Sequence, residues 1–363
     1  MKNSLGQNVT VTVFGESHGA GIGAVLDGLP AGIPINEEFI KHQLGLRRPS
    51  GDISTPRVEA DNYIIYSGAY NGFTTGTPIC IVIPNENTKS KDYEADRFLA
   101  RPSHADFVAY EKYNGFEDYR GGGHFSGRVT AGLVAVGAIA ITALKQKGIK
   151  IGTHISKCAG VKDADFSNFN TEIDALNNMP FAVLDNAKGE EMQNAIKAVK
   201  ADCDSVGGVL ETAVIGMPVG VGEPWFDSLE GMLSHALFSI PAIKGVEFGL
   251  GFNIADLKGS EANDLFEIKD GKVITKTNNN GGINGGISNG MPIIFRSAIK
   301  PTPTIAKEQN TINFKENEAA ILQAAGRHDP CIVHRARVVV DSMVAVTLCD
   351  VLTAKYGTDW WLK

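Results

Sequence analysis

The 363-residue chain has the composition of a well-packed globular protein, with 43% hydrophobic and 21% charged residues. Its net charge of −7 argues against bulk binding of nucleic acid or of an anionic membrane surface. The five cysteines are far apart and form no CxxC pair, which argues against a zinc ribbon or a disulfide framework. Because the N-terminus also lacks a signal-peptide core, the sequence predicts a cytoplasmic protein.

Periodicity predicts both strands and helices along the chain. The predicted strands cover residues 9–14, 20–29, 79–83 and 212–219. The predicted helices follow a cap at Asn36 and cover residues 129–144, 190–200 and 337–352. Val, Ala and Gly dominate 129–144, so we expect that helix to be buried nearly all round; it is too short to span a bilayer. The irregular mixture predicts an α+β fold in a single domain, residues 1–363.

Four polar segments place a histidine beside glycine, a hydroxyl or an arginine. They are GESHG (15–19), RPSHAD (101–106), GGGHFSGR (121–128) and GRHDP (326–330). Glycine lets the backbone approach a ligand, arginine binds phosphate or carboxylate at two points, and histidine moves protons near neutral pH. The repeated combination predicts a site that binds an anionic small molecule and performs proton chemistry on it.

The first two segments each leave an alternative open. GESHG matches the letters of a nucleophile elbow but lacks its strand–turn–helix context. We interpret His18 as a general acid oriented by Ser17; a structural turn histidine is the alternative. In RPSHAD, Asp106 either fixes the tautomer of His104 or caps a helix that starts near Phe107.

The glycine-rich segments point to a cradle for a ligand rather than to a known nucleotide loop. GGGHFSGR before a buried helix favours a backbone-and-hydroxyl cradle at a helix N-terminus, with tight backbone packing as the alternative. The chain contains neither a Walker A loop nor a clean GxGxxG between strand and helix. GRHDP lacks a second metal ligand at suitable spacing, so we predict no metal. In residues 276–290, Ile283 and Ile287 among glycines favour an ordered loop over a tether.

Taken in this order, the segments resemble chorismate synthase. The matching pieces are GESHG, LRRPSG, RPSHAD, YRGGGHFSGR, KGVEFG, GGINGGISNG, KPTPT and GRHDPC, and they cover almost the full length. The resemblance implies conversion of 5-enolpyruvylshikimate 3-phosphate to chorismate and phosphate, an anti-1,4-elimination in the shikimate pathway to the aromatic amino acids. It also implies reduced FMN that is not consumed, and a homotetramer whose subunits place helices between antiparallel sheets.

The resemblance also implies residue roles. His18 protonates the leaving phosphate with support from Ser17, His104 stabilises reduced flavin near N1, and Asp329 acts with flavin N5 to remove the ring hydrogen. The implied flavin cradle comprises His124, Phe125, Ser126, Ala242, Gly285, Lys300, Pro301, Thr302, Pro303, Thr304 and Arg327. The implied contacts to substrate anions, or to NADPH, are Arg47, Arg48, Arg101 and Arg128.

The chain departs from the family pattern in two places. Leu46 stands where a third arginine is common, and no arginine lies between Arg48 and Arg57. His334 and the pair Arg337-Val338 replace a more usual proline-rich continuation after GRHDPC, while the three proposed catalytic residues are unaltered.

Two other classes of function compete with the elimination. A flavin-dependent oxidoreductase would use the same cradle and consume nicotinamide in proportion to product. A non-catalytic protein would bind the anion and change no rate. The sequence leaves open whether the chain reduces its own flavin with NADPH or depends on a separate flavin reductase.

Overall fold

Two five-stranded antiparallel sheets form most of the regular structure in this computed structural model, which describes residues 2–55, 59–86, 96–324 and 329–362. The first sheet contains, in spatial order, β1 (Ser4–Leu5), β2 (Thr10–Gly15), β3 (Gly21–Asp27), β7 (Ile79–Pro84) and β4 (Ile64–Ser67). The second contains β11 (Ile243–Phe248), β16 (Ile293–Ile299), β10 (Gly208–Ile215), β8 (Lys150–Cys158) and β9 (Val161–Lys162).

Helices and short hairpins complete the described structure. The helices are α1 (Glu37–Arg47), α2 (Asp106–Tyr113), α3 (Thr130–Gln146), α4 (Phe169–Leu176), α5 (Asn186–Ala201), α6 (Leu229–Phe238), α7 (Gly259–Ala262) and α8 (Val333–Tyr356). Of these, α1, α3, α6 and α8 pack on one another. The hairpins pair β5 (Ala69–Tyr70) with β6 (Phe73–Thr74), β12 (Phe266–Lys269) with β13 (Lys272–Thr275), β14 (Ile283–Asn284) with β15 (Ile287–Ser288), and β17 (Glu308–Asn313) with β18 (Glu318–Gln323).

The two longest helices, α3 and α8, form the middle layer. α3 packs on β3 and β7 of the first sheet, α8 packs on β8 and β10 of the second, and the two helices pack on each other. A carbon added to Gly137 would overlap Cβ of Ser342, and one added to Gly132 would lie 2.6 Å from the backbone of Gly23. The expected close packing is therefore confirmed, as is the α+β sandwich with helices between antiparallel sheets.

Among the residues that the structure describes, one stretch, which includes α3, could cross a membrane by length and composition. That stretch is Gly127–Gln146, and 83% of its most apolar window is buried inside the fold. Such burial is that of a core helix enclosed by protein.

Most predicted elements are confirmed, with one correction. Asn36 caps α1 by accepting a hydrogen bond from the backbone N–H of Phe39 at 2.9 Å. The segment 276–290 is ordered and contains the β14–β15 hairpin. The predicted bounds 212–219 are wrong, because β10 covers Gly208–Ile215. The next residue, Gly216, has a φ of +83° and ends the strand. The sequence does not predict the first residues of β10, because Gly208 has low strand propensity. The structure requires glycine there, since a Cβ would overlap the carbonyl oxygen of Lys157.

The second sheet carries a row of alternating charges across four of its strands and the adjoining loop. The row consists of Glu247, Arg296, Glu211, His154 and Asp163. Thr153 hydrogen-bonds Asp341 of α8, so the next residue, His154, points to the opposite face of the sheet, on which α4 packs. Both ring nitrogens of His154 meet a carboxylate, at 2.8 and 3.3 Å. Burial alone would lower the pKa of His154, but these hydrogen bonds outweigh it and raise that pKa.

The chain termini meet in the core. Asp350 of α8 accepts hydrogen bonds from the backbone N–H groups of Gln7, Asn8 and Val9 at 2.9, 2.7 and 3.0 Å. The turn before β2 is therefore held by a carboxylate more than three hundred residues later in the sequence.

Candidate functional site

Ser17 and His18 follow β2 and are both buried. The Ser17 hydroxyl lies 2.8 Å from Nδ1 of His18 and 3.2 Å from the carbonyl oxygens of Arg120 and Gly121. A hydroxyl has one proton, and carbonyls only accept. Ser17 therefore donates to a carbonyl and accepts from Nδ1, which fixes the orientation of the His18 ring.

The glycine loop 121–123 lies between two of the predicted histidines. Its three residues have φ of +59°, +83° and +51°, a conformation that L side chains rarely adopt. A carbon added to Gly121 would overlap the ring of His18, and one added to Gly122 would lie 3.3 Å from Cε1 of His104. The loop thus brings GESHG, RPSHAD and GGGHFSGR together through contacts that only glycine permits.

His104 is fixed by a carboxylate and an arginine. Its Nδ1 lies 2.7 Å from Asp106, and Arg101 donates to the same carboxylate at 2.6 and 2.8 Å. Burial alone would raise the pKa of the Asp106 carboxyl, but hydrogen bonds from Arg101 and His104 hold it well below its ordinary value. Asp106 therefore fixes the tautomer of His104. The cap interpretation is wrong, since α2 begins at Asp106 and its N-cap is Ala105 without a side-chain bond.

The KPTPT segment reaches the RPSHAD segment. The Lys300 ammonium donates to the carbonyl of Ser103 at 2.6 Å, and its backbone N–H donates to Ala242 at 3.0 Å. Burial, followed by the repulsion of Lys244, lowers the pKa of Lys300. The Thr302 carbonyl accepts from the Ser205 hydroxyl at 2.7 Å, so the backbone of this segment is anchored.

Some of the remaining residues of the implied flavin cradle lie beside the glycine loop, and others lie elsewhere in the fold. His124 donates from Nδ1 to the carbonyl of Gly15 at 2.9 Å, and the Phe125 ring is 38% exposed. The Ser126 hydroxyl accepts from the backbone N–H of Arg128 at 3.3 Å and caps the turn that leads into α3. Gly285 lies in the β14–β15 hairpin, whose described contacts are with residues 218–229. Arg327 lies outside the described residues, as does Arg57.

Asp329 is held by two donors from different elements. Its carboxylate accepts from the backbone N–H of Thr55 at 2.9 Å and from Arg335 at 2.6 Å. Arg335 also donates to the carbonyl of Arg47 at 2.9 Å. The sequence reasoning missed Arg335, although it lies only six residues after Asp329, because no motif singled it out.

The predicted anion contacts converge on one aspartate that the sequence reasoning also missed. Arg47 and Arg48 lie 3.5 and 3.4 Å from Asp61, and Arg128 forms a very close ion pair with it. Burial lowers the pKa of Arg47 to about 10, against the opposing effect of Asp61. A lone aspartate in a loop carries no pattern that would have revealed this role. Arg101, by contrast, pairs with Asp106, away from this cluster.

After GRHDPC, the two side chains that depart from the family pattern, His334 and Arg337, both contact other residues of the fold. His334 is buried, and its Nε2 lies 2.9 Å from the Ser54 hydroxyl, which tethers the basic loop to the start of α8. Arg337 is 1% exposed, lies 3.4 Å from Asp341 and donates to the carbonyl of Met179 at 3.1 Å. Burial raises the pKa of the Asp341 carboxyl to about 6 despite Arg337. Both substitutions therefore stabilise the fold around the site.

Within the described part of the chain, no group of three or more histidine, cysteine, aspartate or glutamate side chains is placed to hold a metal ion. The site is instead built from imidazoles, guanidiniums, hydroxyls and glycine backbone. Fold and site together define an enzyme of the mixed α+β class whose functional groups come from both halves of the sequence.

The comparisons with known proteins specify the class further. The chain belongs to the chorismate synthase family, whose model matches residues 9–353. It is 47% identical to the chorismate synthase of Chitinophaga pinensis, over 96% of each chain, and 45% identical to that of Pyrococcus abyssi, over 99% of each. It resembles a crystal structure of chorismate synthase with a TM-score of 0.76 and 33% identity, covering 97% of this chain and 94% of that one. The enzyme is thus a carbon–oxygen lyase of aromatic amino acid biosynthesis.

Proposed function

We propose that this enzyme eliminates phosphate from 5-enolpyruvylshikimate 3-phosphate in the anti-1,4 sense, giving chorismate, with reduced FMN bound. The observation that carries the proposal is the glycine loop 121–123, which contacts the rings of both His18 and His104. Two imidazoles beside one loop supply proton transfer at two neighbouring positions. The substrate carries a phosphate and two carboxylates, which suits the nearby arginines.

His18 is the proposed general acid. Because Ser17 holds Nδ1, a proton on Nε2 can pass to the phosphate oxygen as the C–O bond breaks. Ser17 acts through His18 by fixing its tautomer. The negative charge that develops on phosphate is then partly neutralised within the site.

Asp329 is the proposed acceptor in removal of the ring hydrogen, acting with the flavin. Arg335 and the N–H of Thr55 fix the orientation of its carboxylate. The hydrogen itself is too weakly acidic for a carboxylate alone.

The described residues fit a flavin. His104, with Nδ1 fixed by Asp106, presents Nε2 beside Gly122, where a side chain would fill the space. His124, Phe125, Ser126, Lys300 and the Thr302–Thr304 backbone would complete the cradle, with Ala242, Gly285 and Arg327 as further proposed contacts. When bound there, reduced flavin would supply the electron density that phosphate departure requires, while these residues would hold and orient it.

The remaining expectations stand as proposals of the same kind. Arg47, Arg48, Arg101 and Arg128 bind substrate anions, and the basic loop is the proposed contact for NADPH if the enzyme reduces its own flavin. A separate flavin reductase is the other source of electrons. We also propose a single domain, a homotetramer and a cytoplasmic location, with neither nucleic acid nor membrane as a partner.

The test is anaerobic and follows two products at once. Purified enzyme is mixed with 5-enolpyruvylshikimate 3-phosphate and dithionite-reduced FMN, and chorismate and phosphate are quantified together. Equal release of both over many turnovers per flavin supports the elimination. Nicotinamide consumed in proportion to product would favour a flavin oxidoreductase, and substrate binding without either product would favour a binding protein.

A further inference from the structure

Asp61 is a buried carboxylate that the proposed chemistry does not use. It lies in the loop before β4, its side chain is fully buried, and its φ is +55°. A non-glycine residue in this left-handed region is strained, and it persists when its surroundings over-determine it. A feature that combines burial, charge and strain calls for an explanation in the contacts of that side chain.

Three guanidiniums surround the Asp61 carboxylate. Arg47 approaches from the end of α1, Arg48 from the next residue, and Arg128 from the turn before α3. Arg47 and Arg128 are buried, with 7% and 4% of their side chains exposed, whereas 34% of the Arg48 side chain is exposed. Arg48 is therefore the member of the cluster that an incoming ligand meets first.

The cluster is not saturated by its internal contacts. Oδ2 of Asp61 and Nε of Arg48 face each other at 3.4 Å without forming a hydrogen bond, and Nε of Arg47 donates to none of the described residues. Three positive groups against one negative group also leave two positive charges unbalanced within the cluster. Unused donors and surplus positive charge are what a phosphate or carboxylate group requires.

We propose that Asp61 is a positioning residue that holds Arg47, Arg48 and Arg128 together as one surface for the phosphate and carboxylates of the substrate. The inference rests on the proposed function, because that function supplies the anion. Without Asp61, two buried guanidiniums would lack their shared counter-charge and would repel each other. Arg48, which is partly exposed, would then lose its fixed orientation and rotate into solvent.

The positioning role predicts a defect in binding rather than in chemistry. Asp61→Asn keeps the size of the side chain and removes its charge, so KM for 5-enolpyruvylshikimate 3-phosphate should rise about tenfold or more. kcat should stay within about threefold, and affinity for FMN should not change. Asp174→Asn is the matched control, because it breaks an exposed ion pair to Lys150 and should leave KM unchanged.

A double-mutant cycle separates positioning from general destabilisation. If Asp61 acts through Arg48, adding Arg48→Ala to Asp61→Asn should raise KM by less than about twofold further. The proposal is overturned if KM of the double variant rises by the product of the two separate increases. A folded Asp61→Asn enzyme with normal KM would overturn it as well. If Asp61→Asn does not fold, Asp61→Glu retains the charge and displaces the carboxylate, and an unchanged KM in that variant is equally decisive.

Binding of inorganic phosphate distinguishes this inference from the proposed function. Calorimetric titration of phosphate into wild type and Asp61→Asn should show weaker binding by the variant, whether or not the wild type makes chorismate. If the variant binds phosphate more weakly but the wild type forms no chorismate, the proposed reaction is contradicted and the role of Asp61 is not. Equal phosphate affinity would defeat the role of Asp61 alone.

Discussion

The two sheets of the sandwich carry their buried histidines in opposite ways. Beside the first sheet, His18 is held at Nδ1 by the Ser17 hydroxyl, and His104 is held at Nδ1 by Asp106, with its Nε2 beside a glycine. On the second sheet, both nitrogens of His154 donate to carboxylates. A carboxylate at each nitrogen holds His154 as a charged member of an ion-pair row, whereas the hydrogen bonds described above for His18 and His104 orient each ring through Nδ1. Histidines of one fold thus differ in the kind of partner at Nδ1, a hydroxyl or a carboxylate.

The largest expected effect falls on the residues proposed to move protons. His18→Ala and Asp329→Ala should each lower turnover roughly a hundredfold or more, the usual scale for a lost acid–base group. The measurement is the rate of chorismate formation with reduced FMN under anaerobic conditions. Near-normal rates in both folded variants would contradict the assigned roles and remove the contrast with His154.

The glycine loop offers a test of the space around His18. Gly121→Ala should lower turnover about tenfold, because the added methyl overlaps the imidazole and strains a φ of +59°. Gly259→Ala is the control, since a carbon there meets no atom within 4 Å and the change should leave turnover unchanged. Wild-type turnover in Gly121→Ala would mean that the precise position of His18 is unimportant.

Asp106 tests whether orientation of His104 matters. Asp106→Asn should weaken binding of reduced FMN severalfold, because the amide no longer fixes Nδ1 as the donor or neutralises Arg101. Its melting temperature should also fall, because a carboxyl whose pKa is held below its ordinary value in the folded enzyme stabilises the fold at neutral pH. Loss of stability without loss of FMN affinity would argue for a purely structural carboxylate.

The smallest expected effect concerns the second sheet and depends on pH. The pKa of His154 is higher in the folded enzyme than in the unfolded chain. Its stabilising contribution is therefore complete below about pH 6.5, the ordinary value, and is lost as the pH rises through the folded pKa. The free energy of unfolding, measured in urea between about pH 6 and pH 9, should fall less steeply in His154→Gln. The exposed His235→Gln should keep the wild-type slope, and turnover should persist in both.

The sequence predicts the parts of the site that are local and misses those that are not. His18, His104 and Gly121–Gly123 lie in short segments whose composition alone indicates ligand binding. Their convergence is set by tertiary contacts, which also decide that Asp106 orients His104. Asp61 and Arg335 escape prediction because a single charged residue has no period or motif, and its partners lie far away in sequence. The start of β10 is not predicted, because Gly208 has low strand propensity.

Asp350 has a consequence for how the protein is made. The first sheet is synthesised first, yet the backbone groups of residues 7–9 obtain their acceptor only when α8 has been translated. α8 is also one of the two helices that fill the sandwich. The turn before β2 therefore lacks this acceptor until α8 has docked, so the contact joins residues far apart in the sequence and belongs to the kind that slows folding.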